Sequence, residues 1–331
     1  MFIFGSILDL YLLRKNVSQF AREIYHAYPK EKVVGLFWNS TPELIIRDPE
    51  VVKRVLITDF VYFHERGLHP DKYHMEPLLK NLFFAEGDLW RLLRQRITPA
   101  FTSGKLKAMF PLIVERAEHL QARTLAAARA QQSLDARDLM ARYTTDFIGA
   151  CGFGLDADSL NEEDSAFRKL GNEIFEFSIR TYIVAFLKDT FPMLTRKLKY
   201  MSLVEDRLVS LVRDILRQRN DQPSDRNDFI DLLLECQRKG IIEVDSLEKS
   251  KPDGTPERVS LELTDALIAA QVFVFFAAGF ETSSSATSFT LHQLAFNPEV
   301  QRKVQNNIDA VLSKHDNKLS YDAVKEMTYL E

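Results

Sequence analysis

Ala266-Leu267-Ile268-Ala269-Ala270-Gln271-Val272-Phe273-Val274-Phe275-Phe276-Ala277-Ala278-Gly279-Phe280 is apolar on every side except at Gln271, and Glu281-Thr282-Ser283-Ser284-Ser285 follows at once. A helix that is apolar all round must be buried all round. A bilayer span needs about 20 apolar residues, so the early polar break favours the central helix of a globular core. Thr264 and Asp265 can cap its start. At about 100° per residue, Gln271, Val274, Ala278, Thr282 and Ser285 share one face, with Phe275 and Glu281 at its edges. That strip could line a cavity. A buried threonine hydroxyl bonds the carbonyl one turn back and bends a helix, and Gly279 has no side chain to block a ligand. A carboxylate beside such a hydroxyl can relay protons. The bland alternative is a helix end emerging into water, with Glu281 and the serines simply solvated.

Proline spacing leaves room for long helices, because proline breaks helix interiors and none occurs between Pro111 and Pro192, Pro192 and Pro223, or Pro256 and Pro298. Val204, Leu208, Leu211 and Ile215, and after a polar loop Phe229, Leu232, Leu233 and Cys236, recur at helical spacing. The predicted class is mainly α. Val33 to Trp38 and Leu44 to Ile46 around Asn39-Ser40-Thr41-Pro42 predict a short β-hairpin at about 33–46, with an α-rich part over 48–331. Asp48-Pro49-Glu50 and Asn297-Pro298-Glu299 each place a cap, a proline and an acid where helices start. Lys239 to Glu257, rich in charge, glycine and proline, predicts an exposed, poorly ordered connection.

The 331 residues are 46% apolar and 27% charged, which excludes a disordered or collagen-like chain. A net charge of −4 provides no field for a polyanion, so nucleic acid is not an expected partner. Two cysteines, Cys151 and Cys236, make neither a disulfide framework nor a four-thiolate metal site, and both predict as packing residues. The seven histidines lack tight ligand spacing. The apolar start, Met1 to Leu13, is interrupted by Asp9 and too short to span a bilayer, and it lacks the basic flank, clean apolar centre and small-residue cleavage site of a secretory signal.

Ala278-Gly279-Phe280-Glu281-Thr282 resembles the oxygen-activation motif of the central helix of cytochrome P450 monooxygenases. Gly87-Asp88-Leu89-Trp90-Arg91-Leu92-Leu93-Arg94, continuing through Thr98-Pro99-Ala100-Phe101 to Lys107, resembles that family's Trp-x-x-x-Arg helix in its insect microsomal, xenobiotic-metabolising branch. Phe63 to Gly67, Phe147-Ile148-Gly149 with Phe153-Gly154, and Tyr329-Leu330-Glu331 resemble further family segments in the same order. Each motif alone is weak; the ordered set is specific.

The resemblance implies a cytochrome P450 fold in part, residues 1–331 forming one incomplete domain. It implies haem b (heme b, iron protoporphyrin IX), with Trp90 and Arg94 on a propionate and Ala278 and Gly279 leaving it space. Trp90 and Arg94, at i and i+4, share a helix face, and an indole N–H with a guanidinium fork suits a carboxylate. Thr282 and Glu281 take the catalytic, proton-guiding roles. Phe83, Phe84, Phe175, Phe177 and Phe275 are the substrate-contact candidates for a lipophilic xenobiotic or plant allelochemical oxidised with dioxygen and NADPH-derived electrons. The implied redox partners are NADPH-cytochrome P450 reductase, with cytochrome b5 as a second. Arg91, Arg94, Arg96, Lys105 and Lys107, with no acid between Leu89 and Val114, form a basic segment that could steer an acidic partner. The implied location is the cytoplasmic face of the endoplasmic reticulum membrane. Thr181 to Tyr200, apolar and then basic, suits an anionic lipid surface.

No Phe-x-x-Gly-x-Arg-x-Cys-x-Gly loop, the family's source of the axial thiolate, occurs in these 331 residues. The expectation is therefore that the sequence is a fragment without its N-terminal anchor and C-terminal haem-thiolate region, inactive by itself. An alternative of a different class is a non-catalytic helical protein that binds hydrophobic ligands at a membrane surface.

Overall fold

The computed structural model describes residues 4–68, 74–155, 159–160, 166–175, 178–191, 193–199 and 202–330. It is predominantly helical. The helices are α1 (Leu8–Tyr11), α2 (Val17–Ala27), α3 (Pro49–Lys53), α4 (Gly87–Ile97), α5 (Ser103–Arg129), α6 (Ala136–Ile148), α7 (Ala166–Phe175), α8 (Ile179–Thr190), α9 (Ser202–Gln218), α10 (Phe229–Arg238), α11 (Asp265–Phe296), α12 (Pro298–Lys314) and α13 (Tyr321–Glu326). Strands β1 (Val33–Trp38) and β2 (Thr41–Ile46) pair antiparallel, as do β3 (Ile242–Ser250) and β4 (Pro256–Leu261).

The first hairpin follows the predicted strands and turns through Asn39, whose positive φ suits asparagine. Asp48 caps α3 by accepting from the backbone N–H groups of Glu50 and Val51, but the helix runs into a π turn after one and a half turns. Asn297 precedes α12 without capping it; its side-chain amide instead donates back to the Gln293 carbonyl. Helices α9 and α10 flank the polar loop as their periodicity requires, and Asp228 with Asp231 forms a capping box at α10.

Two expectations are corrected. Pro111 lies inside α5 instead of marking a boundary, so the helix runs on from Ser103 to Arg129 with one ladder donor missing. The segment predicted as a poorly ordered connection, 239–257, contains most of the β3–β4 hairpin. Its alternating Ile242, Val244 and Ser246 are buried, and Ile242 and Val244 pack on Leu92 of α4. High charge on the outer face of a two-stranded ribbon hides the inner alternation.

Helix α11 is the axis of the core, 32 residues long, and it continues through Glu281-Thr282 where the polar break suggested an end. Thr264 caps it by accepting from the Leu267 N–H at 3.4 Å. Its back face, Ile268, Val272, Phe273, Phe276 and Phe280, is buried against residues of α6, α7, α9 and α10. At about 1.5–3 kcal/mol for each large side chain removed from water, these five contacts position the helix. Phe276 meets Phe153 and Phe167 at 5.5 and 4.8 Å between ring centroids, and Phe280 stacks on Phe276 at 5.9 Å.

Candidate functional site

The strip drawn on α11 divides into three zones. At its N-terminal end Gln271 is fully buried and does not line a cavity. Its Oε1 accepts the Leu82 N–H at 2.9 Å, and its Nε2 donates to the Lys80 and Leu267 carbonyls at 3.2 Å. The lone polar residue of the apolar run is thus a suture. It holds 80–82, and with it Phe83 and Phe84, against the central helix. Asn81 completes the turn by accepting from the N–H groups of Phe83 and Phe84.

In the middle zone, Ala278 and Thr282 are exposed, and the Thr282 hydroxyl donates to the Ala278 carbonyl one turn back, the backbone bond expected from the sequence. Glu281 stands at the edge of the strip and turns toward α6, where Arg137 pairs with its Oε1 at 3.1 Å and Ser285 donates to the same oxygen at 3.2 Å. Gly279 corrects the expectation of space for a ligand. A Cβ built on it would lie 2.9 Å from Ile148 Cδ1, so its bare face admits α6, while Ala278 and Thr282 stand on the open side. Farther along, Phe289 and Phe296 repeat the strip at seven-residue spacing and are 70% and 74% exposed.

Trp90 and Arg94 lie on α4 beside a groove of about 610 Å³ whose walls include Phe60, Val61, Thr98 and Leu247. Phe60 meets Trp90 at 5.9 Å between centroids. Among the described residues, neither the Arg94 guanidinium nor the Trp90 indole N–H has a hydrogen-bond or ion-pair partner, and the groove wall is mostly apolar. Helix α4 ends in the turn Thr98–Phe101, and Phe101 packs on Phe275 of α11 at 5.0 Å and on Phe229 of α10 at 5.9 Å. The two motif helices are therefore tied by a ring contact one turn below Ala278.

The remaining predicted residues separate. Phe83 is exposed, edge-on to Phe84 at 5.0 Å, with the Arg66 guanidinium over its ring and donating to its carbonyl. Phe275 is part of the ring cluster just described. Phe175 does not join them: it stacks on Phe280 at 5.9 Å, on the opposite side of α11 from Thr282. Phe177 lies outside the described residues. The basic run on α4 and α5 is partly neutralised. Lys105 pairs with Glu235 at 2.8 Å, Lys107 pairs with Asp322, and Arg96 donates to the Gly240 carbonyl, which leaves Arg91 and Arg94 as the free cations of the five among the described residues.

Neither cysteine is poised as a ligand. Burial pushes the Cys151 thiol up to about 12, and Cys236 is buried with its Sγ donating to the Arg96 carbonyl at 3.3 Å. No cluster of three metal-ligating side chains occurs among the described residues. Sequence reasoning missed Gln271 as a suture and Leu247 as a groove wall. The first could have been read from a single amide in a wholly apolar helix, since a buried amide needs partners.

The family model "Cytochrome P450" matches residues 1–331. The chain is 39% identical over 330 residues to "Cytochrome P450 6B6" of Helicoverpa armigera, covering 99% of this chain and 63% of that protein. It is 37% identical to "Cytochrome P450 6B5" of Papilio glaucus, covering 99% and 66%, and 38% identical to "Probable cytochrome P450 6a13" of Drosophila melanogaster, covering 96% and 63%. The chain thus spans slightly less than two thirds of the length of these relatives.

Proposed function

The chain belongs to the cytochrome P450 family, and from that premise we propose that the whole protein is a haem monooxygenase that oxidises lipophilic xenobiotics, such as plant allelochemicals, with dioxygen and NADPH-derived electrons. The observation that carries the reading is the pair of unpartnered donors, Trp90 N–H and Arg94, at the rim of an apolar groove. Haem is an apolar plate bearing two carboxylates, and this donor set fits it. When bound, the haem supplies the redox chemistry that activates dioxygen.

The chain's own residues then have definite tasks. Arg94 and Trp90 hold a propionate by charge-assisted and neutral hydrogen bonds. Ala278 keeps the facing side of α11 low. Thr282 carries a hydroxyl whose proton is committed to the Ala278 carbonyl and whose lone pairs remain to accept from water, so it can hold a water on the open side of the strip. Glu281, next to Thr282 in the chain and anchored toward α6 by Arg137 and Ser285, would be the carboxylate that relays protons at the strip's edge. Phe83, Phe84 and Phe275 supply apolar contacts for substrate near the Gln271 suture.

Arg91, the cation of this run left over once Arg94 is given to a propionate, supports docking of a flavoprotein reductase, with cytochrome b5 as a second acidic partner, by complementary charge. A membrane-surface location on the cytoplasmic side of the endoplasmic reticulum is supported by exposed Ile179, Tyr182 and Ile183 on α8 and by Met193 and Leu194 beyond it, followed by Arg196 and Lys197. Phe186 of α8 also packs on Phe4 and Tyr11, at 5.9 and 5.1 Å, so the N-terminal segment shares that surface.

The test is coupled turnover. The protein expressed from its complete reading frame, with reductase and NADPH, should oxidise lipophilic substrates, and Thr282→Ala should divert reducing equivalents to peroxide. Unchanged coupling in that variant would remove Thr282 from its role, and a protein that takes up no haem would overturn the reading as a whole.

A further inference from the structure

The groove at Trp90 and Arg94 has a wall that the family motif does not contain. Strand β3 departs from regular pairing with β4 between Asp245 and Ser250. There the Ser246 hydroxyl gathers the N–H groups of Glu248 at 3.0 Å and Lys249 at 2.8 Å, which curls the chain into a bulge. One carboxylate fixes that bulge to α4. Asp88, in the first turn of the helix, accepts the Ser246 hydroxyl on Oδ2 and the Leu247 N–H on Oδ1, both at 2.6 Å. The preceding Gly87 has φ +54°, a backbone conformation that favours glycine, and the Glu248 side chain lies over it. Leu92, Ile242 and Val244 pack together beside the clasp, and Leu247 lines the groove with Trp90 and Arg94.

We propose that Leu247 is a wall of the carboxylate-binding groove, and that the Asp88 clasp is a positioning device that sets Leu247 against the Trp90 and Arg94 donors around a bound apolar anion, here the edge of the haem. This rests on the haem reading above. An apolar side chain at 247 excludes water from the Arg94–carboxylate contact, and lower local dielectric strengthens such a contact. The Leu247 tie to Asp88 is made by backbone N–H, so side-chain substitutions at 247 leave the clasp intact.

The experiment is transfer of haem from the loaded protein, expressed from its complete reading frame, to excess apomyoglobin at low salt. A negative charge at 247 should repel a propionate and a positive one attract it. We expect Leu247→Asp to release haem at least about fivefold faster than Leu247→Lys, with Leu247→Ala between them and the spread narrowing at high salt. Asp88→Ala should speed release, and Asp88→Asn, which keeps an acceptor for the Leu247 N–H, should recover part of the loss. If the three variants at 247 release haem within about twofold of one another, or Asp88→Ala releases it like the wild type, the proposal fails. An Arg94→Ala arm separates the two levels. Faster release there with a flat series at 247 overturns the wall and leaves the haem reading standing, whereas no change in either overturns the placement of haem at this groove.

Discussion

Gly279 and Ile148 face each other where α11 crosses α6, and a Cβ at Gly279 would stand 2.9 Å from Ile148 Cδ1 and 3.3 Å from its Cγ1. Two opposed effects act on Gly279→Ala. Alanine gains about 1 kcal/mol of helix propensity over glycine, while overpacking a filled site costs about 1–3 kcal/mol. The substitution should therefore be neutral to destabilising in the wild type and stabilising in an Ile148→Val background, where Cδ1 is absent. Chemical denaturation of the four proteins of this cycle checks the reversal of sign. A stabilising effect in both backgrounds would mean that the crossing is not tight.

Gln271→Leu should destabilise the fold although it makes α11 more apolar. The Leu82 N–H and the Lys80 carbonyl would both lose their partner, at about 1–3 kcal/mol for each buried group left unpaired. The loosened segment carries Phe83 and Phe84, so affinity for lipophilic ligands should fall as well. Thermal unfolding and ligand titration of the variant measure the two effects separately.

Cys151 should resist alkylation in the native protein. Burial of the thiol is the first cause of its high pKa, reinforced by the negative charge of Asp228 and only partly opposed by Arg116 and Arg226. At pH 8 almost none of it is thiolate, and the thiolate is the nucleophile. Iodoacetamide labelling followed by mass spectrometry should show rapid modification only after unfolding. Rapid native labelling at Cys151 would contradict the desolvation of this half-buried thiol.

Asp138 gives a prediction with a definite pH window. Burial works to raise its pKa, but hydrogen bonds and charge from Arg142 and Arg168 outweigh this and hold the carboxyl below its ordinary value of 3.8. A carboxyl depressed in the folded state contributes stability that is fully present above its unfolded pKa and is lost as pH falls through the folded one. The stability difference between wild type and Asp138→Asn should be constant at neutral pH and shrink only below about pH 4. The side chain is 42% exposed, so the neutral-pH difference should be modest.

The parts of this architecture legible from sequence are those dictated by a local pattern. The apolar run before Glu281 requires a buried central helix, Val33 to Trp38 is a short apolar run ending at the turn Asn39-Ser40, and Trp90 and Arg94 fall one helical turn apart. What was hidden depends on a distant partner. Gly279 reads equally as space for a ligand or room for a crossing helix, and only the position of Ile148 decides. Phe175 and Phe275 are alike in sequence, yet one stacks behind α11 and the other sits at the foot of its open strip. Leu247 looks like part of a charged loop until Asp88, 159 residues earlier, is seen to hold it.

In the proposed reading the open strip of α11 and the Trp90–Arg94 groove of α4 would border one haem, with Ala278 on the facing side and Phe280 behind. The most direct measurement is the carbon monoxide affinity of the reduced, haem-loaded protein for wild type, Ala278→Phe and Phe280→Leu. A bulky side chain at 278 should weaken carbon monoxide binding at least about tenfold by filling the open side of α11, while Phe280→Leu should lower stability and leave that affinity nearly unchanged. Equal carbon monoxide affinity in wild type and Ala278→Phe would contradict the account, because the face bearing Ala278 and Thr282 would then not be the one that meets the haem.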